Sequence, residues 1–190
     1  MDRSESDSRY AAQSTHHPHT PLLPYLGLLM NGSSTLRFLA DKMLGSLTKK
    51  LRLLGINTGY LNAADEGELK YIARSQSRII LTRNRKLADS LDDGAWLVSG
   101  SGAREEFLSI ASKLQSDDCR PVPFSLCLDC NERLLPVDPV ETESKIPPYV
   151  LGTKIHFSKC ASCGKVFWEG THRKRMEEDV EWMREKLRNT

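Results

Sequence analysis

Two Cys-x-x-Cys pairs, Cys127/Cys130 and Cys160/Cys163, stand 29 residues apart. Each pair can form a tight knuckle that aims two thiolates at one ion, and two knuckles complete the tetrahedron that zinc prefers. Asn131 and Gly164 directly follow the pairs, and both residue types tolerate the unusual backbone angles such turns need. A closed four-sulfur shell leaves no position for water, so the expected zinc is structural rather than catalytic. It would replace the core that a segment of about 70 residues struggles to build. A reactive dithiol pair or a disulfide is the alternative reading of the same cysteines. His156 and His172 are further candidate ligands, although four cysteines already satisfy the ion. The fifth cysteine, Cys119, is left over as a buried or free thiol.

A second constellation is made of oxygens. Asp41, Asp65 and Asn84 each fall where a strand pattern gives way to a helix pattern. In open parallel sheets the carboxyl ends of the strands form the ligand crevice. Side-chain oxygens gathered there can hold Mg²⁺ or Mn²⁺, and such an ion polarises a phosphodiester and activates water. The same residue types are also the preferred helix N-caps, and Asp65 with Glu68 has capping-box spacing. Both roles stay open, and they do not exclude one another. Basic residues flank these places: Arg37, Lys42, Lys49, Lys50 and Arg52 on one side, Arg83, Arg85 and Lys86 on the other. Cations beside an anionic metal site can hold nucleic-acid phosphates. A solvated helix face explains Lys49 and Lys50 equally well.

The elements that must position these residues follow from periodicity. Leu36–Ala40 reads as a short buried strand, and Met43, Leu44, Leu47, Leu51 and Leu54 recur at helical spacing before Gly55. Further strands are expected over Ile56–Leu61, Arg78–Thr82 and Ala95–Val98. Helices are expected around Leu69–Ala73, over Arg85–Leu91 and around Phe107–Leu114. Strands alternating with helices imply a mainly parallel sheet covered on both faces, an α/β sandwich of about 85 residues. Pro121 and Pro123 then mark a boundary. The chain ends in a charged helix over His172–Arg188 whose Met176, Val180, Met183 and Leu187 form one apolar stripe. That stripe is read as a face docking on this same chain.

Three segments result: 1–34 as a disordered tail, 35–119 as the α/β domain, and 120–190 as a zinc ribbon with a terminal helix. The tail is rich in Ser, Thr, His, Pro and Gly without a sustained apolar period. Its His16, His17 and His19 are expected to be solvated. The formal charge of +2 is too small to argue for nucleic-acid binding by itself, so that case rests on local clusters. No stretch approaches the roughly 20 apolar residues that cross a bilayer, because Leu22–Met30 is short and broken by Pro24 and Gly27. Acidic residues precede it and no clear cleavage site follows, so a secretory leader is not expected. No membrane is expected among the partners, and the cytoplasm is the expected compartment.

Several motifs together resemble one family. Arg37-Phe38-Leu39-Ala40-Asp41-Lys42-Met43-Leu44-Gly45, followed by Leu51-Arg52-Leu53-Leu54-Gly55, resembles the opening of the Mut7-C RNase domain. Thr82-Arg83-Asn84-Arg85-Lys86-Leu87 is similar to that family's Thr-Arg-Asp-Arg segment. Cys127-Leu128-Asp129-Cys130-Asn131, Ile146-Pro147-Pro148 and the run from Cys160 to His172 follow its zinc half. The resemblance covers about residues 36–180. It implies a PIN-like three-layer α/β sandwich with a C-terminal zinc ribbon, and metal-dependent hydrolysis of RNA. Carried over by position, it implies Asp41 and Asp65 as metal-binding carboxylates, Glu68 as a third, and a polar residue near Glu105 or Glu106. Asn84 departs from the Asp usual there, and a neutral amide oxygen holds Mg²⁺ more weakly. Arg37, Lys42, Arg83 and Arg85 are the expected nucleic-acid contacts. The alternative function is a non-catalytic RNA-binding or ribosome-associated ribbon, with Phe167 and Trp168 stacking on bases and Arg173, Lys174 and Arg175 on phosphates. Those two rings serve equally as the ribbon's small core. A protein-interaction adaptor using the ribbon and the C-terminal stripe is the third reading.

Overall fold

A computed structural model of the chain describes residues 36–115, 121–141, 146–151 and 156–189. The expected tail over 1–34, its three histidines and Cys119 lie outside the described residues.

The first strand, β1 (Phe38–Ala40), leads into α1 (Gly45–Leu54). Leu47, Leu51 and Leu54 bury one helix face, whereas Met43 is 61% exposed in the turn before it. The reason is local: Asp41 Oδ1 accepts the Met43 N–H at 2.9 Å, which holds the chain in a turn and delays the helix. Gly55 ends α1 as expected, with φ at +95° and its N–H on the Arg52 carbonyl at 3.0 Å. A Cβ there would sit 2.1 Å from the Val122 carbonyl oxygen, so glycine also lets the later chain close over the helix end.

Then follow β2 (Thr58–Tyr60), α2 (Glu66–Ser75), β3 (Ile79–Thr82), α3 (Arg85–Asp89), β4 (Ala95–Leu97) and α4 (Ala103–Ala111). The four strands pair in the order β2-β1-β3-β4, every pair parallel. Alternation along the strands divides the core. Phe38, Ala40 and Leu81 face α1 and α4, while Leu39 and Ile80 face Leu69, Ala73 and Leu87 of α2 and α3. The result is a three-layer sandwich.

A second, antiparallel sheet runs β5 (Leu134–Pro136), β6 (Phe157–Cys160), β7 (Val166–Trp168), with the short α5 (Pro148–Leu151) between the first two. Phe167 packs on Cys127, Leu134 and Cys160, and Trp168 packs on Ile146, Val150 and Phe157. Both rings therefore serve as ribbon core. The final helix, α6 (Thr171–Asn189), returns to the first core. Val180 and Met183 are buried there among Leu47, Leu51 and Phe107, and Trp182 lies 5.7 Å from the Phe107 ring. Lys50 and Arg104 both grip Asp179, at 2.9 and 3.2 Å. The stripe thus docks on its own chain, and the adaptor reading loses that surface. All described residues belong to one compact unit.

Candidate metal centres

The two cysteine knuckles are copies of one turn. The Asn131 N–H donates to the Cys127 carbonyl, and the Gly164 N–H to the Cys160 carbonyl, both at 2.9 Å. Asn131 and Gly164 have φ of 65° and 68°, the left-handed region. Cys127 and Cys160 then donate their own N–H groups to the Glu132 and Lys165 carbonyls, at 2.7 and 2.9 Å. The four sulfurs lie within 4.8 Å of one another, and Cys127 Sγ stands 3.8 Å from Cys163 Sγ. Zn–S bonds of about 2.3 Å in a tetrahedron separate sulfurs by about 3.8 Å, so the set can hold one zinc ion. Burial pushes the Cys127 thiol up to about 12, while the Lys165 backbone N–H holds Cys163 down at about 7. Zinc binding would release the Cys127 proton.

The first knuckle is stitched to the parallel sheet. Arg52, grouped by sequence with the cations able to hold phosphates, is only 6% exposed. Its Nε donates to the Thr58 carbonyl, and Nη1 donates to the Leu128 and Asp129 carbonyls, each at 2.8 Å. Asn131 Oδ1 accepts the Thr58 N–H at 2.9 Å, and its Nδ2 donates to Asn57 Oδ1 at 2.9 Å. Arg78 donates to the same Asn57 oxygen at 2.7 Å and to the Phe38 carbonyl at 2.9 Å. At Thr58 the outer edge of β2 is thereby bonded to Arg52 and the knuckle rather than left to water.

The oxygen site lies where the sheet order reverses. Chain connections leave β1 toward β2 and β3 toward β4, so a crevice opens between the carboxyl ends of β1 and β3. Asp41 follows β1, and Thr82, fully buried, ends β3. The Thr82 hydroxyl donates to Asp41 Oδ2 at 2.6 Å and accepts the Asn84 N–H at 3.0 Å. Asp41 is thus held through both carboxylate oxygens, and it does not cap α1, whose N-cap is Leu44. Asn84 does cap α3, accepting the Leu87 N–H at 3.3 Å.

Glu106 of α4, 5% exposed, completes the group, with Oε1 3.9 Å from Arg83 Nη1. Burial raises its carboxyl above the ordinary range, Arg83 opposes that shift, and Asp41 adds to it. Asp41, Glu106 and Arg83 therefore share one electrostatic field. The adjacent Glu105 is spent elsewhere, accepting the Ser101 N–H and hydroxyl at 2.8 Å each.

Asp65 and Glu68 lie after β2, at the start of α2. Both are exposed, and Asp65 Oδ1 accepts the Glu68 N–H at 2.8 Å as the N-cap of α2. Asp41, Asp65 and Glu68 do not share a 4.8 Å cluster; among the described residues only the four cysteines do. Lys42 lies exposed in the turn after Asp41, and Arg85 opens α3 beside Asn84. Arg37 precedes β1 and lies at the opposite end of the sheet, roughly 13 Å along the strand from Asp41. Asp65→Ala is expected to cost about 1 kcal/mol of stability through the lost cap, measured by urea denaturation. Asp65→Ser should restore that stability, because serine caps equally well. RNA cleavage lost in the serine variant at full stability would instead mark a ligand.

The Mut7-C RNAse domain model matches residues 36–180. This chain belongs to the Mut7-C RNAse domain family. No curated protein and no solved structure matches it. The Mut7-C match spans the oxygen crevice and both cysteine knuckles, and it ends within α6. No helix among the described residues is long and apolar enough to cross a membrane.

Two residues of the crevice are less sharply marked in the sequence. Thr82 opens the Thr-Arg-Asn-Arg segment without a role of its own, and Glu106 is one of two adjacent acids where the resemblance implies a polar residue. Glu106→Gln supplies a pH test of the crevice. A carboxyl raised by folding stabilises below its unfolded pKa and loses that contribution as pH rises through the folded value. Glu106→Gln should therefore melt higher than the native chain at pH 7, and the gain should vanish below about pH 4. A bound cation favours the charged carboxylate, so narrowing of the gain by Mn²⁺ at pH 7 would mark Glu106 as a ligand.

Proposed function

We propose that this chain is a metal-dependent ribonuclease whose site is the crevice between β1 and β3. The observation that carries the reading is the meeting of Asp41, Glu106 and Arg83 there, with Thr82 fixing Asp41. The donor set is all oxygen and carries two negative charges, which suits Mg²⁺ or Mn²⁺. Asp41 and Glu106 would hold the ion, with the Asn84 amide oxygen as a neutral third donor. When bound, such an ion supplies Lewis-acid polarisation of a phosphodiester and an activated water. Thr82 keeps one Asp41 oxygen oriented through its hydrogen bond, so the carboxylate needs little reorganisation. Arg83, Lys42 and Arg85 would bind the phosphates of the strand and set its register.

Asp41→Ala is expected to lower Mn²⁺-dependent cleavage of single-stranded RNA by about a hundredfold or more. Intact RNA after incubation of the native, zinc-loaded chain with either ion would overturn the reading. A second reading, RNA binding without cleavage, is favoured by Asn84, whose amide adds no charge and already caps α3. An inert native chain that gains cleavage on Asn84→Asp would select it.

A further inference from the structure

A second cavity lies at the other end of the sheet, on the α2–α3 side. It offers about 330 Å³, open to solvent on one side, between the end of α2 and the starts of β3 and β4. Lys70, Arg74 and Arg78 line it, with Ser77 at the turn and Ile79 and Leu91 as a half-buried apolar wall. It contains no acidic lining residue. Lys70 is paired with Glu66 at 2.6 Å, whereas the Arg74 guanidinium is exposed and has no acidic partner among the described residues. Burial and then repulsion from Arg37 and Arg52 lower Arg78, and no carboxylate offsets them. Positive potential is thus concentrated beside an apolar surface.

Such a pairing selects for ligand chemistry. Phosphate alone would need only the cations and would leave the Ile79–Leu91 wall unused. A flat, neutral ring on a phosphate uses both, since bases stack on apolar surfaces and on guanidinium planes while phosphates take arginine and lysine. The volume sits at the small end of ligand cavities, which suits one nucleotide. The four-residue strand β3 spans roughly 10 Å from this cavity to the crevice at Thr82, so the two sites do not overlap.

We infer that this cavity is a nucleotide-binding site separate from the crevice, taking one nucleotide unit with its phosphate on Arg74 and Lys70. The inference rests on the ribonuclease reading only in choosing a nucleotide over other organic phosphates. Titration of the full, zinc-loaded chain with adenosine 5′-monophosphate tests it, with inorganic phosphate as the comparison. Adenosine monophosphate should bind at one site, at least about tenfold tighter than phosphate. Arg74→Glu, an exposed position, should weaken it about tenfold or more by reversing the charge, with the melting temperature unchanged. Asp41→Asn should leave it intact. Absent binding, binding indifferent to Arg74→Glu, or phosphate binding as tightly would each overturn the inference. A 5′-phosphorylated tetranucleotide that binds tighter than the monophosphate assigns the cavity to the end of an RNA strand. Equal or weaker binding assigns it to free nucleotide, and both results uphold the site. Binding kept by a chain without cleavage activity sinks the ribonuclease reading alone. Cleavage without adenosine monophosphate binding sinks the cavity alone.

Discussion

Cys127→Ser will strip the chain of zinc and lower its melting temperature by about 10 °C or more. Cys127 is fully buried, and its sulfur stands at tetrahedral spacing from Cys163. Structural zinc contributes about 10–16 kcal/mol of apparent folding free energy in small four-ligand peptides at pH 7. That rivals the whole stability of an ordinary domain, about 5–15 kcal/mol, so losing a buried ligand removes a decisive share. For a chain of this length, each kcal/mol lost moves the midpoint by about 2–4 °C. The damage should not stop at the ribbon. Cys127 and Cys160 are the centre of the small core that holds Leu134 and Phe167, and the Leu128 and Asp129 carbonyls beside Cys127 receive Arg52. Metal analysis and circular dichroism on heating measure both effects. Zinc content and melting equal to the native chain's would show that the sulfurs are not ligands.

What the sequence made legible was local chemistry. The knuckles could be read because each is set within five consecutive residues, down to the left-handed Asn131 and Gly164. The strands and helices could be read because their apolar periods differ, and Gly55 marked the end of α1 through its own backbone freedom. Met43 was misplaced because Asp41 captures its N–H, a side-chain choice that outranks helical spacing. Arg37 was grouped with the crevice because it is four residues from Asp41, yet a residue before a parallel strand lies at the amino end. Asp41, Asp65 and Asn84 have the same dual reading, cap or ligand, and the folded chain shows which of them cap. Asp65 and Asn84 cap helices, whereas Asp41 is held by Thr82. Glu105 and Glu106 differ by one position, and only the rotation of α4 decides which carboxylate enters the crevice. Those distinctions depend on residues far apart in the chain, which spacing cannot encode.

Arg52 shows how far such a partner can lie, and its removal should be among the most damaging single changes outside the cysteines. Arg52→Ala is expected to cost about 3–5 kcal/mol, measured by urea denaturation of the zinc-loaded chain. Three charged hydrogen bonds vanish together, two of them to carbonyls 76 and 77 residues away. Their acceptors on Thr58, Leu128 and Asp129 lose their buried partner. Arg52→Lys separates the charge from the geometry. One ammonium cannot reach the Thr58 carbonyl and the Leu128–Asp129 pair at once, so lysine should recover less than half of the loss. Because the guanidinium ties the first knuckle to β2, zinc should also escape faster to a chelator from the alanine variant. A loss below about 1 kcal/mol with an unchanged escape rate would mean that the ribbon and the sheet are held by the Asn131 bonds and apolar contacts without it. The predicted loss with faster escape would make Arg52 the link through which the zinc knuckle supports the β2 edge.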